Sequence, residues 1–80
     1  MPLSSELINE TIADNVYKAY HKIHELGVLH GDVRKENILV RKDESIVIVD
    51  FERTEINNVP KVVIDIEDCE VQALLLNLQE

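Results

Sequence analysis

The residues best placed to do chemistry in this chain are Asp32, Asn37 and Asp50. They lie in the runs His30-Gly31-Asp32-Val33-Arg34-Lys35-Glu36-Asn37 and Ile48-Val49-Asp50-Phe51-Glu52. A carboxylate, then an amide, then a second carboxylate is a kit for phosphoryl transfer. The first takes or orients the proton of an attacking hydroxyl, while the other two hold the Mg²⁺ that neutralises phosphate charge. Taken singly, a loop aspartate is most often a turn or cap residue and a loop asparagine a turn stabiliser. Their joint order, with β-branched segments between, argues for the chemical role.

Those segments must position the kit. Ile38-Leu39-Val40 and Ile46-Val47-Ile48-Val49 read as two strands, and the polar Arg41–Ser45 stretch between them reads as a turn. A hairpin over 38–50 brings Asn37 and Asp50 to the same end, because one begins the outgoing strand and the other ends the returning one. Ahead of it, Ile8, Ile12, Val16, Ala19, Tyr20, Ile23 and Leu26 recur at helical steps. They predict an amphipathic helix from Ser5 to Leu26, capped by Ser4 or Ser5 and stopped by Gly27. Glu52 to Lys61, with Asn57-Asn58 and Pro60, has no periodicity and reads as a loop. Val62-Val63-Ile64 suits a third strand or an apolar lead-in. A second helix is expected from about Asp65 or Asp68, close to residues 66–79, capped by an aspartate. Its Val71, Leu74, Leu75 and Leu78 face one way, and Cys69, Ala73 and Leu76 another.

Sixteen acidic and 8 basic residues in 80 give a net charge of −8. That balance disfavours nucleic acid and anionic membrane as partners, since both select basic patches. Asp65, Glu67, Asp68 and Glu70 read as a solvated helix start, with a metal site as the minor alternative. The single cysteine, Cys69, permits no internal disulfide and reads as a small buried apolar residue. His21 and His24 read as surface residues. No basic-then-apolar leader and no membrane-length apolar run is present, so a reduced intracellular setting, cytoplasmic or nuclear, is expected.

The two runs resemble the catalytic loop and metal-binding strand of the protein-kinase-like superfamily. The H-G-D form at His30-Gly31-Asp32 is closer to aminoglycoside-phosphotransferase-type and small fungal kinase-like proteins than to the usual H-R-D kinases. The resemblance runs from about Tyr17 to Glu52. It implies an α+β fold, a partial kinase-like large lobe of helix, catalytic loop (30–37), hairpin, loop and helix without a small lobe. Asp32 would be the catalytic base and Arg34 a stabiliser of charge on the transferred phosphate. Asn37 and Asp50 would bind the cofactors, ligating Mg²⁺ and through it ATP. His30 would hold the loop, and Glu36 would anchor it. Gly31 stands where many kinases carry the arginine that receives a phosphorylated activation loop, and Glu52 where they carry the glycine of Asp-Phe-Gly. The implied function is transfer of the ATP γ-phosphate to a hydroxyl, expected to lie on protein.

No Gly-rich phosphate loop, no Val-Ala-Ile-Lys strand and no Ala-Pro-Glu signature occurs in these 80 residues. Mg²⁺ is therefore expected to bind weakly and ATP barely. The alternative reading is a truncated, catalytically inactive kinase-derived fragment that acts as a binding module or has no function. Uncovered strand edges and a two-faced final helix predict self-association or a covering partner chain.

Overall fold

The computed structural model describes residues 1–56 and 58–79. Helix α1 spans Glu10–Glu25, strands β1 and β2 span Ile38–Val40 and Ile46–Ile48, and helix α2 spans Lys61–Gln79. A 3-10 turn, Lys35–Asn37, leads directly into β1. The architecture is a small α+β unit of two helices and an antiparallel pair, as expected from the sequence.

Helix α1 starts later than Ser5. Asn9 is its cap, accepting from the Ile12 N–H at 2.8 Å, while Ser4 closes only an isolated turn with Leu7 and Ile8. The reason is upstream pairing: Leu3 N–H donates to Ile38 O at 2.8 Å and Val40 N–H to Met1 O at 2.7 Å. This holds residues 1–3 extended along β1 and leaves the backbone free to turn helical only after Asn9. The far end closes as the sequence predicts. Gly27 has φ +74°, its N–H donates to His24 O, and the Val28 N–H reaches back to Ile23 O. That 6→1 and 5→2 pattern satisfies the last carbonyls of the helix. Leu26, placed on the apolar stripe by its spacing, is instead 81% exposed, because it forms the cap outside the helix.

The hairpin pairs Ile38 with Ile48, Leu39 with Val47 and Val40 with Ile46. Its turn is tied to α1: Asn9 Nδ2 donates to the Glu44 carboxylate and Asn15 Nδ2 to Glu44 O, both at 2.9 Å. No third strand forms at 62–64. Those residues are the first turn of α2, with Val63 and Ile64 N–H bonding to Pro60 O. A proline fixes φ and suits a helix start, so the helix begins at Lys61 with no aspartate cap, several residues before 66. Asn57 and Glu80 lie outside the described residues.

The core is built by Leu3 from the N-terminal segment, Ile12, Val16 and Tyr20 from α1, Ile38 and Val40 from β1, and Val71, Leu75 and Leu78 from α2. Of the four clustered leucines, Leu75 and Leu78 are buried, Leu74 is half-buried and Leu76 is exposed. One helix and one hairpin do not cover all four. Cys69 is exposed, not buried, since it lies on the outer face of α2. Among the described residues, no helix is long and apolar enough to cross a membrane.

Tyr20 is sealed in this core, and its hydroxyl has no partner among the described residues. Burial, and then the charges of Glu67 and Asp32, push its ionisation above the ordinary tyrosine range. An unpartnered buried hydroxyl is a net cost, so Tyr20→Phe is expected to stabilise the chain by about 1 kcal/mol. A thermal melt lower than that of the wild type would show that the hydroxyl has a partner after all.

Candidate active site

The loop from His30 to Asn37 is held from both sides. His30 is fully buried, and each ring nitrogen has one partner. Nδ1 accepts from the Asp32 N–H at 3.2 Å, which places the ring hydrogen on Nε2, and Nε2 donates to Val49 O at 2.9 Å. The ring edge also meets Phe51, with centroids 4.8 Å apart. One imidazole thereby joins the start of the loop to the end of the returning strand.

Asp32 is the hub of polar contacts. Arg34 grips its carboxylate with two bonds, Nε to Oδ1 at 2.9 Å and an η-nitrogen to Oδ2 at 3.0 Å. Asn37 Nδ2 donates to Asp32 O at 3.0 Å and to Oδ2 at 3.1 Å. Desolvation pushes the Asp32 carboxyl up. The bonds from Arg34 and Asn37 and the charges of Arg34 and Arg53 outweigh it, holding the group below the ordinary carboxylate range. Asp32 therefore stays ionised through neutral pH, and the Arg34 clamp releases only as pH falls below that range.

Asn37 is buried at the foot of β1, and its main-chain O accepts the Val49 N–H at 2.9 Å. Asp50 follows Val49 directly, so the hairpin brings Asn37 and Asp50 to one end. Asp50 is exposed and sits at φ +63°, a left-handed conformation that aspartate tolerates better than most residues. The side chains fit a hard divalent cation. Asn37 spends its amide nitrogen on Asp32, and its Oδ1 accepts no hydrogen bond among the described residues. The Asp50 carboxylate likewise has no ion pair among them. Oxygen donors of these two kinds are what Mg²⁺ selects.

The loop's main support comes from α2. Glu67, read in the sequence as part of a solvated cluster, is 2% exposed. Its Oε1 accepts the His30 N–H at 2.9 Å and its Oε2 the Gly31 N–H at 2.8 Å. His24 Nε2 lies 2.9 Å from Oε1, so His24 is buried in this contact, not on the surface, whereas His21 is exposed. The available signal was positional. Glu67 lies one turn before Val71 on the same stripe as Leu75 and Leu78, a place where an unpartnered carboxylate is costly.

Gly31 has a steric reason of its own. Its φ is +90°, and a Cβ there would lie 2.4 Å from the Arg53 carbonyl oxygen. Backbone, not a flexible side chain, blocks the space. Gly31→Ala is expected to cost roughly 2–4 kcal/mol and to push residues 51–54 off the loop. Urea unfolding with an unchanged midpoint would contradict this.

The profile of the Kdo family, described as the lipopolysaccharide kinase (Kdo/WaaP) family, matches residues 4–72, most of the chain. The chain belongs to this family, which is a kinase family within the kinase-like superfamily that the His30–Asn37 run resembles. No curated protein and no solved structure gave a significant match.

Proposed function

We propose that these residues form the catalytic-loop core of a kinase that transfers the γ-phosphate of ATP to a hydroxyl. The observation that carries it is the Asp32–Asn37 contact at one end of the hairpin that ends in Asp50. Asp32 orients the acceptor hydroxyl and takes its proton, and Arg34 offsets charge on the transferred group. Asn37 and Asp50 would hold Mg²⁺, which neutralises and orients the phosphates when bound. The H-G-D form supports a small-molecule-kinase type of loop. The family description favours a saccharide hydroxyl as acceptor over the protein hydroxyl expected from the sequence. Labelled-phosphate transfer to lipopolysaccharide and to a generic protein acceptor, from a two-lobed kinase carrying this segment, tests the reading. Transfer to neither overturns it.

One observation favours the inactive reading: Arg34 and Asn37 already engage both Asp32 oxygens. The metal end discriminates. Mn²⁺ added to the chain is expected to broaden the amide resonances of Asn37 and Asp50 first, and Asp50→Asn to abolish that selectivity. Broadening centred on Asp65 and Asp68 instead would place the cation on the acidic face of α2 and remove Asn37 and Asp50 as ligands.

A further inference from the structure

A second feature of the hairpin has no part in that chemistry. The bonds Val49 N–H to Asn37 O and Arg41 N–H to Ser45 O set the register of the ladder. Inward bonding alternates along an antiparallel strand, so Val47 bonds to β1 while Ile46 and Ile48 turn their N–H and C=O groups away from it. β1 is covered on its other side by residues 1–3. β2 has no such neighbour: among the described residues, no backbone group pairs with the outward edge of Ile46 or Ile48. An uncovered edge of this kind is a template for another strand.

A groove of about 630 Å³ runs between β2 and α1, with Phe51 among its lining residues. Ser45 to Ile48 form one wall. The other is α1, which presents Ala19 and Ile23 with Lys18 and Lys22. The charge of that lining is unusual for this molecule. The chain has twice as many acidic as basic residues, yet no carboxylate lines the groove and two lysines do. Lys18 also holds Asp14 at 2.8 Å on the helix surface, whereas Lys22 has no carboxylate partner among the described residues.

We propose that this groove is a docking site for an extended acidic peptide, which adds to the outward edge of β2 as a further strand. Main-chain bonds to Ile46 and Ile48 give the affinity. Of the side chains turned toward α1, apolar ones rest on Ala19, Ile23 and Phe51, and acidic ones reach Lys18 and Lys22. The lysines select this occupant over a second copy of the chain. Pairing β2 with itself would bring both copies' lysines to one seam, in molecules that each carry a net charge of −8.

The test uses the 80-residue chain and fluorescein-labelled peptides in which every second residue is Thr and the residues between, on one strand face, run Glu and Val in turn (the Glu-Val peptide) or Lys and Val in turn (the Lys-Val peptide), followed by anisotropy. The expected result is saturable binding of the Glu-Val peptide, about tenfold tighter than the Lys-Val peptide and weakened by salt. The double variant Lys18→Glu/Lys22→Glu is expected to reverse that preference. A synthetic chain N-methylated at Ile48 keeps every side chain and the β1 ladder but loses the edge donor, and is expected to lose peptide binding at an unchanged melt. No saturable binding, or equal affinity for the two peptides, overturns the proposal. So does binding that survives both changes, or sedimentation showing that the chain dimerises through this edge and excludes the peptide.

Discussion

Asp32→Asn is expected to slow phosphoryl transfer by about 10²–10⁴-fold in a two-lobed kinase carrying this segment, the range by which a positioned proton acceptor accelerates a reaction. The substitution is nearly isosteric. An asparagine Oδ1 still accepts from Arg34, and Asn37 Nδ2 keeps its bond to the main-chain carbonyl of residue 32, while the new amide nitrogen forfeits the two bonds that Oδ2 accepted. What disappears is the charge that receives the proton and the ionised state that Arg34, Asn37 and Arg53 maintain. The loss therefore falls on turnover and leaves the apparent affinity for ATP close to its starting value. Turnover within a factor of two of the wild type would remove Asp32 from the base role. A fall in ATP affinity with turnover unchanged would mean that the residue serves the metal instead.

Glu67→Ala is expected to be the most destabilising single substitution of the molecule. It removes the acceptor for two loop N–H groups and the partner of His24 at once. His30 is fully buried, so water cannot replace the bond to its N–H without opening the core. Breaking a buried charged network by deleting one side costs about 3–5 kcal/mol. The whole stability of a chain this size is of order 4–12 kcal/mol. A fall in melting temperature of about 15–30 °C follows. Glu67→Gln keeps one acceptor oxygen but turns an amide nitrogen toward one of the donors, so an intermediate loss is expected. A Glu67→Ala melt within a few degrees of the wild type would show that the loop holds itself.

Much of this site is legible without coordinates because its logic is local. Asp32, Asn37 and Asp50 are ordered by short sequence steps, and β-branched runs flank a polar turn. Those features alone place Asn37 and Asp50 at one hairpin end, and Gly27 ends α1 for reasons contained within a few residues. The ends of elements were less legible where a distant segment competes. Pairing of residues 1–3 with β1 delays α1 to Glu10, and Pro60 starts α2 ahead of any aspartate.

What tertiary structure alone decides is which polar groups are buried together. Glu67 is one of four clustered acidic residues, and His24 one of two histidines on the same helix. Composition cannot distinguish them. Only when α2 crosses the loop do the Glu67 oxygens meet the N–H groups of His30 and Gly31, more than thirty residues away in the chain. The need for glycine at position 31 is settled in the same way, by the Arg53 carbonyl pressed against it. The sequence by itself determines the order and spacing of Asp32, Asn37 and Asp50 and the hairpin that aligns them, because both follow from neighbouring residues. The support beneath the kit is decided by folding, because a buried carboxylate is tolerable only where long-range packing supplies its donors.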